Sequence, residues 1–116
     1  MTLLSWFTGL FSRRNISSEE AAFLEEEKDL FENFKLIVDL IEKNKFDKIS
    51  PFFKRSTDLL YRIQNNFDKD ILDLYSRALE VIARLFDPKY INVKDTLIYS
   101  IKQILAKLEE LRNKKS

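Results

Sequence analysis

Apolar residues recur at steps of three and four along the first third of the chain, which is the period of one face of an α-helix. The pattern predicts a long amphipathic helix over residues 17–43. Ser17 followed by Glu20 is typical of a capping box at the start of such a helix. The apolar positions of this predicted helix are Phe23, Leu24, Leu30, Phe31, Phe34, Ile37, Val38 and Ile41.

Three further apolar stripes predict helices over residues 50–66, 69–86 and 92–113. We expect Ser50 to cap the second helix, with Pro51 at its first position, where the missing N–H costs nothing. Residues 65–70 hold two asparagines and two aspartates, which disfavour a helix interior, so a break is predicted there. Asp87-Pro88 ends the third helix, because proline disfavours α geometry in the residue before it.

Four amphipathic helices with short connections bury their stripes most simply as an antiparallel bundle. We therefore predict an all-α fold, in which residues 17–116 form a four-helix bundle and residues 1–16 form a separate amphipathic helix and hinge. The first helix is the longest, so one of its ends should overhang and expose a small apolar patch at residues 21–24. The tyrosines are expected at helix borders, where the ring packs and the hydroxyl stays in water.

Residues 2–13 predict an additional short helix with a bulky aromatic face and a polar opposite side. Two arginines stand at the end of this segment. Aromatic side chains on one helix face with cations at the end are typical of an anchor that lies among lipid headgroups. The other interpretation is that this helix packs against the bundle or against a partner protein. Both interpretations stay open at this point. The residues predicted to dock are Leu3, Leu4, Trp6, Phe7, Leu10, Phe11, Arg13 and Arg14.

The composition excludes most enzyme mechanisms. One Gly and two Pro argue against an all-β fold, which needs frequent turn residues. The chain has no Cys and no His, so it lacks thiol chemistry, the commonest general base and the commonest metal ligand. We expect a non-enzyme with no cofactor and no metal. Four carboxylates of the first helix are interpreted as a solvated face, because di-iron bundles use Glu-x-x-His pairs; they are Glu20, Glu27, Asp39 and Glu42.

Charge is balanced overall at +1 but is unevenly distributed. Residues 17–44 carry nine acids and three bases, whereas most of the remaining charge is basic. Arg55 and Arg62 are seven residues apart, as are Arg77 and Arg84, so each pair lies on one helix face. These four arginines are candidates for phosphate contact, although a nucleic-acid domain normally carries a clear basic excess. We favour arginines that are solvated or paired with the acidic first helix.

Two functions from different classes follow from these patterns. The leading hypothesis is a helical interaction or adaptor module whose N-terminal helix docks to a membrane surface or to a partner protein, a second copy included. The alternative is a small subunit of a ribonucleoprotein that contacts nucleic-acid phosphates through the four arginines, which the charge balance makes the weaker of the two. No apolar stretch is long enough to cross a bilayer, so we expect a cytoplasmic protein, peripheral to the membrane if the helix binds lipid.

Overall fold

The computed structural model describes residues 18–114, and within that range the chain forms four α-helices and no strand. The helices are α1 (Ser18–Glu42), α2 (Ser50–Ile63), α3 (Lys69–Leu85) and α4 (Lys94–Asn113), and each connection contains a 3₁₀ turn. The most extensive contacts are those of α1 with α2 and of α3 with α4, and the two pairs close on each other. The predicted all-α class is confirmed, whereas the additional N-terminal helix lies outside the described residues.

Ion pairs between helices show that packed neighbours run in opposite directions. Glu26 in the first half of α1 meets Arg62 near the end of α2, with 3.3 Å between Oε2 and Nε. Glu42 at the end of α1 meets Lys102 in the first half of α4, with 3.0 Å between Oε1 and Nζ. The bundle therefore has two ends. We call residues 18–29, 64–70 and 108–114 the acidic end, and residues 43–49 and 86–95 the loop end.

An asparagine terminates α1 in the manner usual for glycine. Asn44 takes a left-handed backbone with φ of 61°, a region that asparagine tolerates better than most residues. The N–H of Lys45 donates to the Leu40 carbonyl at 2.9 Å, and the N–H of Asn44 donates to the Ile41 carbonyl at 3.1 Å. This is the Schellman arrangement, which satisfies two carbonyls that the helix end leaves free.

The prediction that Ser50 caps α2 is wrong by one position. Ser50 is already helical, and the capping position falls on Ile49, which has helical φ and ψ of −77° and −34° and provides no side-chain cap. Ile49 is fully buried and directly follows the 3₁₀ turn Phe46–Lys48, so burial fixes its backbone in the helical region. Its carbonyl accepts the N–H of Phe53 at 2.9 Å. Pro51 lies in the first turn, as expected.

The predicted break between α2 and α3 is confirmed. After the 3₁₀ turn Gln64–Asn66, Phe67 adopts an extended backbone with φ of −88° and ψ of 147°. Asp87 is likewise extended before Pro88, and its carboxylate accepts the N–H of Lys89 at 3.0 Å. A 3₁₀ turn then continues to Val93, so α4 begins at Lys94 rather than at residue 92.

Aromatic rings fill the core at the acidic end. Phe67, from the connection between α2 and α3, meets Phe23 of α1 edge-on with 5.3 Å between ring centroids. The ring of Tyr75 lies 5.5 Å from Phe67 and 6.3 Å from Phe34. Because Phe23 is buried in this cluster, the overhang predicted at residues 21–24 is reduced to two exposed alanines and the half-buried Leu24.

Tyr75 contradicts the expectation that tyrosine hydroxyls stay in water. Its side chain is buried, and its hydroxyl has no hydrogen-bond partner among residues 18–114. Desolvation by burial raises the pKa of Tyr75 above its usual value. Tyr61 and Tyr99, which lie outside the core stripe, are exposed as predicted. Tyr75 differs because it falls on the same helix face as Ile71, Ala78 and Ile82, all of which are buried.

Candidate functional site

The eight side chains predicted to dock lie in residues 3–14, outside the part of the chain that the structure describes. Their assignment stays a prediction that rests on the sequence. The described residues show what this segment is attached to, because α1 begins at Ser18. That position is the acidic end of the bundle. Residues 1–17 therefore precede the acidic end of the bundle along the chain.

Two of the candidate phosphate-binding arginines are occupied by carboxylates of α1. Arg62 pairs with Glu26, as described above, and Arg55 forms an ion pair with Asp29. Both guanidinium groups lie along the seam between α1 and α2 and keep more than half of their side-chain surface exposed. A phosphate at this seam would have to compete with the two carboxylates. The arginines at positions 55 and 62 therefore form ion pairs that join α2 to α1.

The other two candidate arginines lie on α3 and do not continue that seam. Arg84 pairs with Glu80 at 2.7 Å, and its guanidinium lies over the ring of Tyr90 at 5.7 Å from the centroid. Arg77 makes no ion pair within residues 18–114 and lines a groove of about 370 Å³ between α3 and α4, together with Lys107. The four arginines are thus divided between the α1–α2 seam and α3, and they do not form one stripe.

Among the four carboxylates interpreted as a solvated face, Glu27 contradicts that interpretation. We expected it on a solvated face, yet its side chain is only 1% exposed and forms an ion pair with Arg112 of α4. The Arg112 guanidinium also lies over the ring of Phe31, 4.0 Å from its centroid. Desolvation by burial lowers the pKa of Arg112. The pair joins the first half of α1 to the last turn of α4 and closes the acidic end.

The spacing of Glu27 contains the signal that could have placed it correctly. It is four residues after Phe23 and four before Phe31, so it falls within the apolar stripe of α1. Asp39 and Glu42, in contrast, are exposed and pair with Lys43 and Lys102. Within residues 18–114 no group of three or more acidic side chains is arranged to hold a metal ion.

The loop end carries an exposed apolar surface that sequence reasoning missed. Ile91 is 70% exposed, Phe86 46% and Val93 44%, and all three belong to the connection between α3 and α4. A groove of about 340 Å³ separates this connection from Phe46, which belongs to the connection between α1 and α2. The signal was present, since Ile91 and Val93 are apolar residues that belong to none of the predicted helix stripes.

Lysines line the same surface. The ammonium of Lys94 lies over the Phe46 ring, 4.1 Å from its centroid, and that of Lys89 lies over the Tyr90 ring at 5.4 Å. Lys45 and Lys48 flank Phe46 and are exposed. Within the described part of the chain, none of these four lysines forms an ion pair with a carboxylate. The loop end therefore combines exposed apolar side chains with cations that no acid neutralises directly.

Comparisons with known proteins give no family to which this chain can be assigned. Neither a scan of protein-family models nor searches of curated proteins and of solved structures finds a match. Among the described residues, no helix is both long enough and apolar enough to cross a bilayer.

Proposed function

We propose that this protein is a non-enzymatic interaction module in which a four-helix bundle serves as the scaffold and the N-terminal segment docks it to a membrane surface or to a partner protein. The observation that carries the proposal is the sequence pattern of residues 2–14, whose spacing predicts a helix with an aromatic face and which ends in Arg13 and Arg14. Bulky apolar side chains beside cations suit both a headgroup region and an apolar groove on a protein.

The described residues support the scaffold part of this proposal. Ion pairs join α1 to α2 and to α4, and the buried side chains of all four helices form one hydrophobic core. A rigid body of this kind holds a docking segment in place without supplying chemistry of its own. The attachment of the segment at the start of α1 would leave the sides of the bundle accessible to a partner.

The ribonucleoprotein alternative receives less support from the same geometry. Arg55 and Arg62 face carboxylates of α1, whereas Arg77 lines the groove between α3 and α4 and Arg84 pairs with Glu80 of its own helix. Binding of RNA or DNA through these residues should weaken steeply with salt and should disappear when the four arginines are neutralised. Retention on nucleic acid that survives these substitutions would contradict the alternative, and salt-sensitive retention that they abolish would replace the leading proposal.

The decisive experiment compares the full chain with a shortened chain that begins at Asn15. If the N-terminal segment is a lipid anchor, the shortened chain should keep its melting temperature and lose binding to anionic vesicles. If the segment packs against the bundle, melting should fall, because burying Leu3, Trp6 and Phe7 would contribute several kcal/mol at about 25 cal/mol per Å².

The single tryptophan makes the two cases visible without a label. Trp6 fluorescence of the full chain should shift to the blue on addition of vesicles if the helix starts in water and enters the headgroup region. A partner-docking segment would instead leave Trp6 unchanged by vesicles while the shortened chain remains folded. Loss of folding in the shortened chain, without lipid binding by the full chain, would contradict a docking role for this segment.

A further inference from the structure

The loop end is the part of the described molecule where the fold leaves apolar surface uncovered. Among residues 18–114, six large hydrophobic side chains are exposed, and three of them lie within the eight residues 86–93. The other three are Leu36, Tyr61 and Tyr99, which are spread over α1, α2 and α4. Scattered apolar residues are normal on a protein surface, whereas a cluster at one tip indicates contact with something else.

Lysines place positive charge next to the exposed apolar side chains of the loop end. The ammonium groups of Lys89 and Lys94 lie over the rings of Tyr90 and Phe46 in cation–π contacts, so cations and aromatic surface are directly adjacent at this tip. Residues 43–49 carry three lysines against one aspartate, and residues 86–95 carry two of each. The carboxylate of Asp87 accepts a backbone N–H, so it is engaged locally.

The two ends of the bundle carry opposite net charges among the described residues. The loop end has a net charge of +2, from five lysines and three aspartates, and one of these lysines, Lys43, pairs with Asp39 of α1. Residues 18–29, 64–70 and 108–114 of the acidic end hold ten acids and four bases, and Arg55 and Arg62 neutralise two more charges there. Among residues 18–114, the loop end is therefore the part that an anionic surface attracts more strongly.

We propose that the loop end is a docking surface for an anionic lipid bilayer, with Phe86, Ile91 and Val93 entering the headgroup region and the four lysines contacting lipid phosphates. A bilayer fits this tip better than a second copy does. Two copies of this positively charged tip would bring like charges together, whereas an anionic bilayer supplies the opposite charge. The proposal goes beyond the N-terminal segment, since it assigns a second surface formed by the described residues themselves.

The direct test places a reporter on the tip of the full chain. Because the chain has no cysteine, Ile91→Cys gives one site for an environment-sensitive NBD label. Tyr61→Cys is the matched control, since Tyr61 is 77% exposed and lies in the last turn of α2, away from the loop end. With vesicles of phosphatidylcholine and phosphatidylglycerol, the label at 91 should shift to the blue and that at 61 should not.

Charge reversal tests the electrostatic half of the proposal. Lys45→Glu combined with Lys48→Glu should weaken binding to anionic vesicles at least tenfold, given about 1 kcal/mol for each lysine near such a surface. Lys28→Glu combined with Lys69→Glu changes the net charge equally, at exposed positions of the acidic end. This control should bind much more tightly than the loop-end variant. Equal weakening by both pairs would contradict a specific role for the loop end.

The outcomes separate this inference from the function proposed above. A blue shift of Trp6 without any change at position 91 would overturn the loop-end surface and leave the N-terminal anchor intact. A shift at position 91 without one at Trp6 would support the loop end alone. A label at 91 that shifts with protein concentration in the absence of vesicles would show self-association through this tip and would overturn the lipid assignment.

Discussion

The two ends of the bundle place their aromatic and apolar residues in opposite ways. At the acidic end, Phe23, Phe67 and Tyr75 turn inward and pack ring against ring, although Phe67 belongs to a connection. At the loop end, Phe86 and Ile91 also belong to a connection, but they face solvent. An apolar residue outside a helix stripe can therefore either close the core or stand outside it, depending on what lies opposite.

Charge follows the same division. The acidic end uses Glu27 and Arg112 to join α1 to α4 in a site from which water is largely excluded. The loop end leaves lysines against the outer faces of aromatic rings. The difference suggests that side chains at the acidic end stabilise the fold, whereas those at the loop end are available for contact. Substitutions should separate the two by their effect on the free energy of unfolding.

The largest effect is expected at the centre of the aromatic cluster. Tyr75→Ala should lower the free energy of unfolding by about 4 kcal/mol, because removing a buried ring leaves a cavity that the helices fill only in part. Chemical denaturation of the variant and the parent chain measures the difference. A domain of this size has about 5–15 kcal/mol in total, so this single change should remove a large fraction of its stability.

Tyr75→Phe is the matched control for that variant. It keeps the ring and removes only a buried hydroxyl that lacks a hydrogen-bond partner among the described residues. The free energy of unfolding should then stay equal or rise, because the buried hydroxyl loses its hydrogen bonds to water and gains no hydrogen bond in the fold. A loss of more than about 1 kcal/mol would mean that the hydroxyl has an acceptor and that the interior of the acidic end is more polar than we describe.

The second effect concerns the buried ion pair. Arg112→Ala should cost about 3 kcal/mol, because it leaves the carboxylate of Glu27 buried without its partner. The double variant Glu27→Ala with Arg112→Ala should recover part of the loss, and a double-mutant cycle gives the coupling energy. Additive single effects would show that the pair is solvated and would remove the electrostatic distinction between the two ends.

Much of the fold was accessible from the sequence because helix periodicity and proline act locally. The break after α2 followed from Asn65, Asn66 and Asp68, and the stop of α3 followed from Pro88. The cap of α2 was misplaced because burial of Ile49, a tertiary effect, decides the backbone there. The left-handed Asn44 was missed, although an asparagine shortly after the last residue of an apolar stripe is itself a signal for such a helix end.

The candidate sites were less predictable, for a physical reason. Spacing indicates which residues share a helix face, but it does not show which neighbouring helix that face meets. The pairing of Arg55 and Arg62 with the acidic first helix was predicted, but only the packing of α2 on α1 shows which carboxylates they meet. The exposure of Ile91 depends in the same way on how two connections lie beside each other.

An intermediate effect is expected where the loop end meets α1. Asn44→Ala should cost about 1 kcal/mol, because alanine gains no local hydrogen bond that offsets the left-handed backbone. Asn44→Gly should cost nothing, since glycine enters that region freely. Thermal melting of the two variants measures the contrast. Equal melting temperatures would show that the turn after α1 rearranges easily and that the loop end is not fixed by this residue.

The smallest effect should come from the tip itself. Ile91→Ser removes a side chain that is 70% exposed, so the free energy of unfolding should change by no more than about 0.5 kcal/mol. The same substitution at Leu30, which is fully buried in α1, should cost several kcal/mol, because it creates a cavity and buries a hydroxyl. Comparable losses at both positions would mean that Ile91 is part of the core. If Ile91→Ser leaves the free energy of unfolding unchanged but abolishes binding to anionic vesicles, docking and stability are separate at the loop end. No variant at the acidic end is expected to behave in this way.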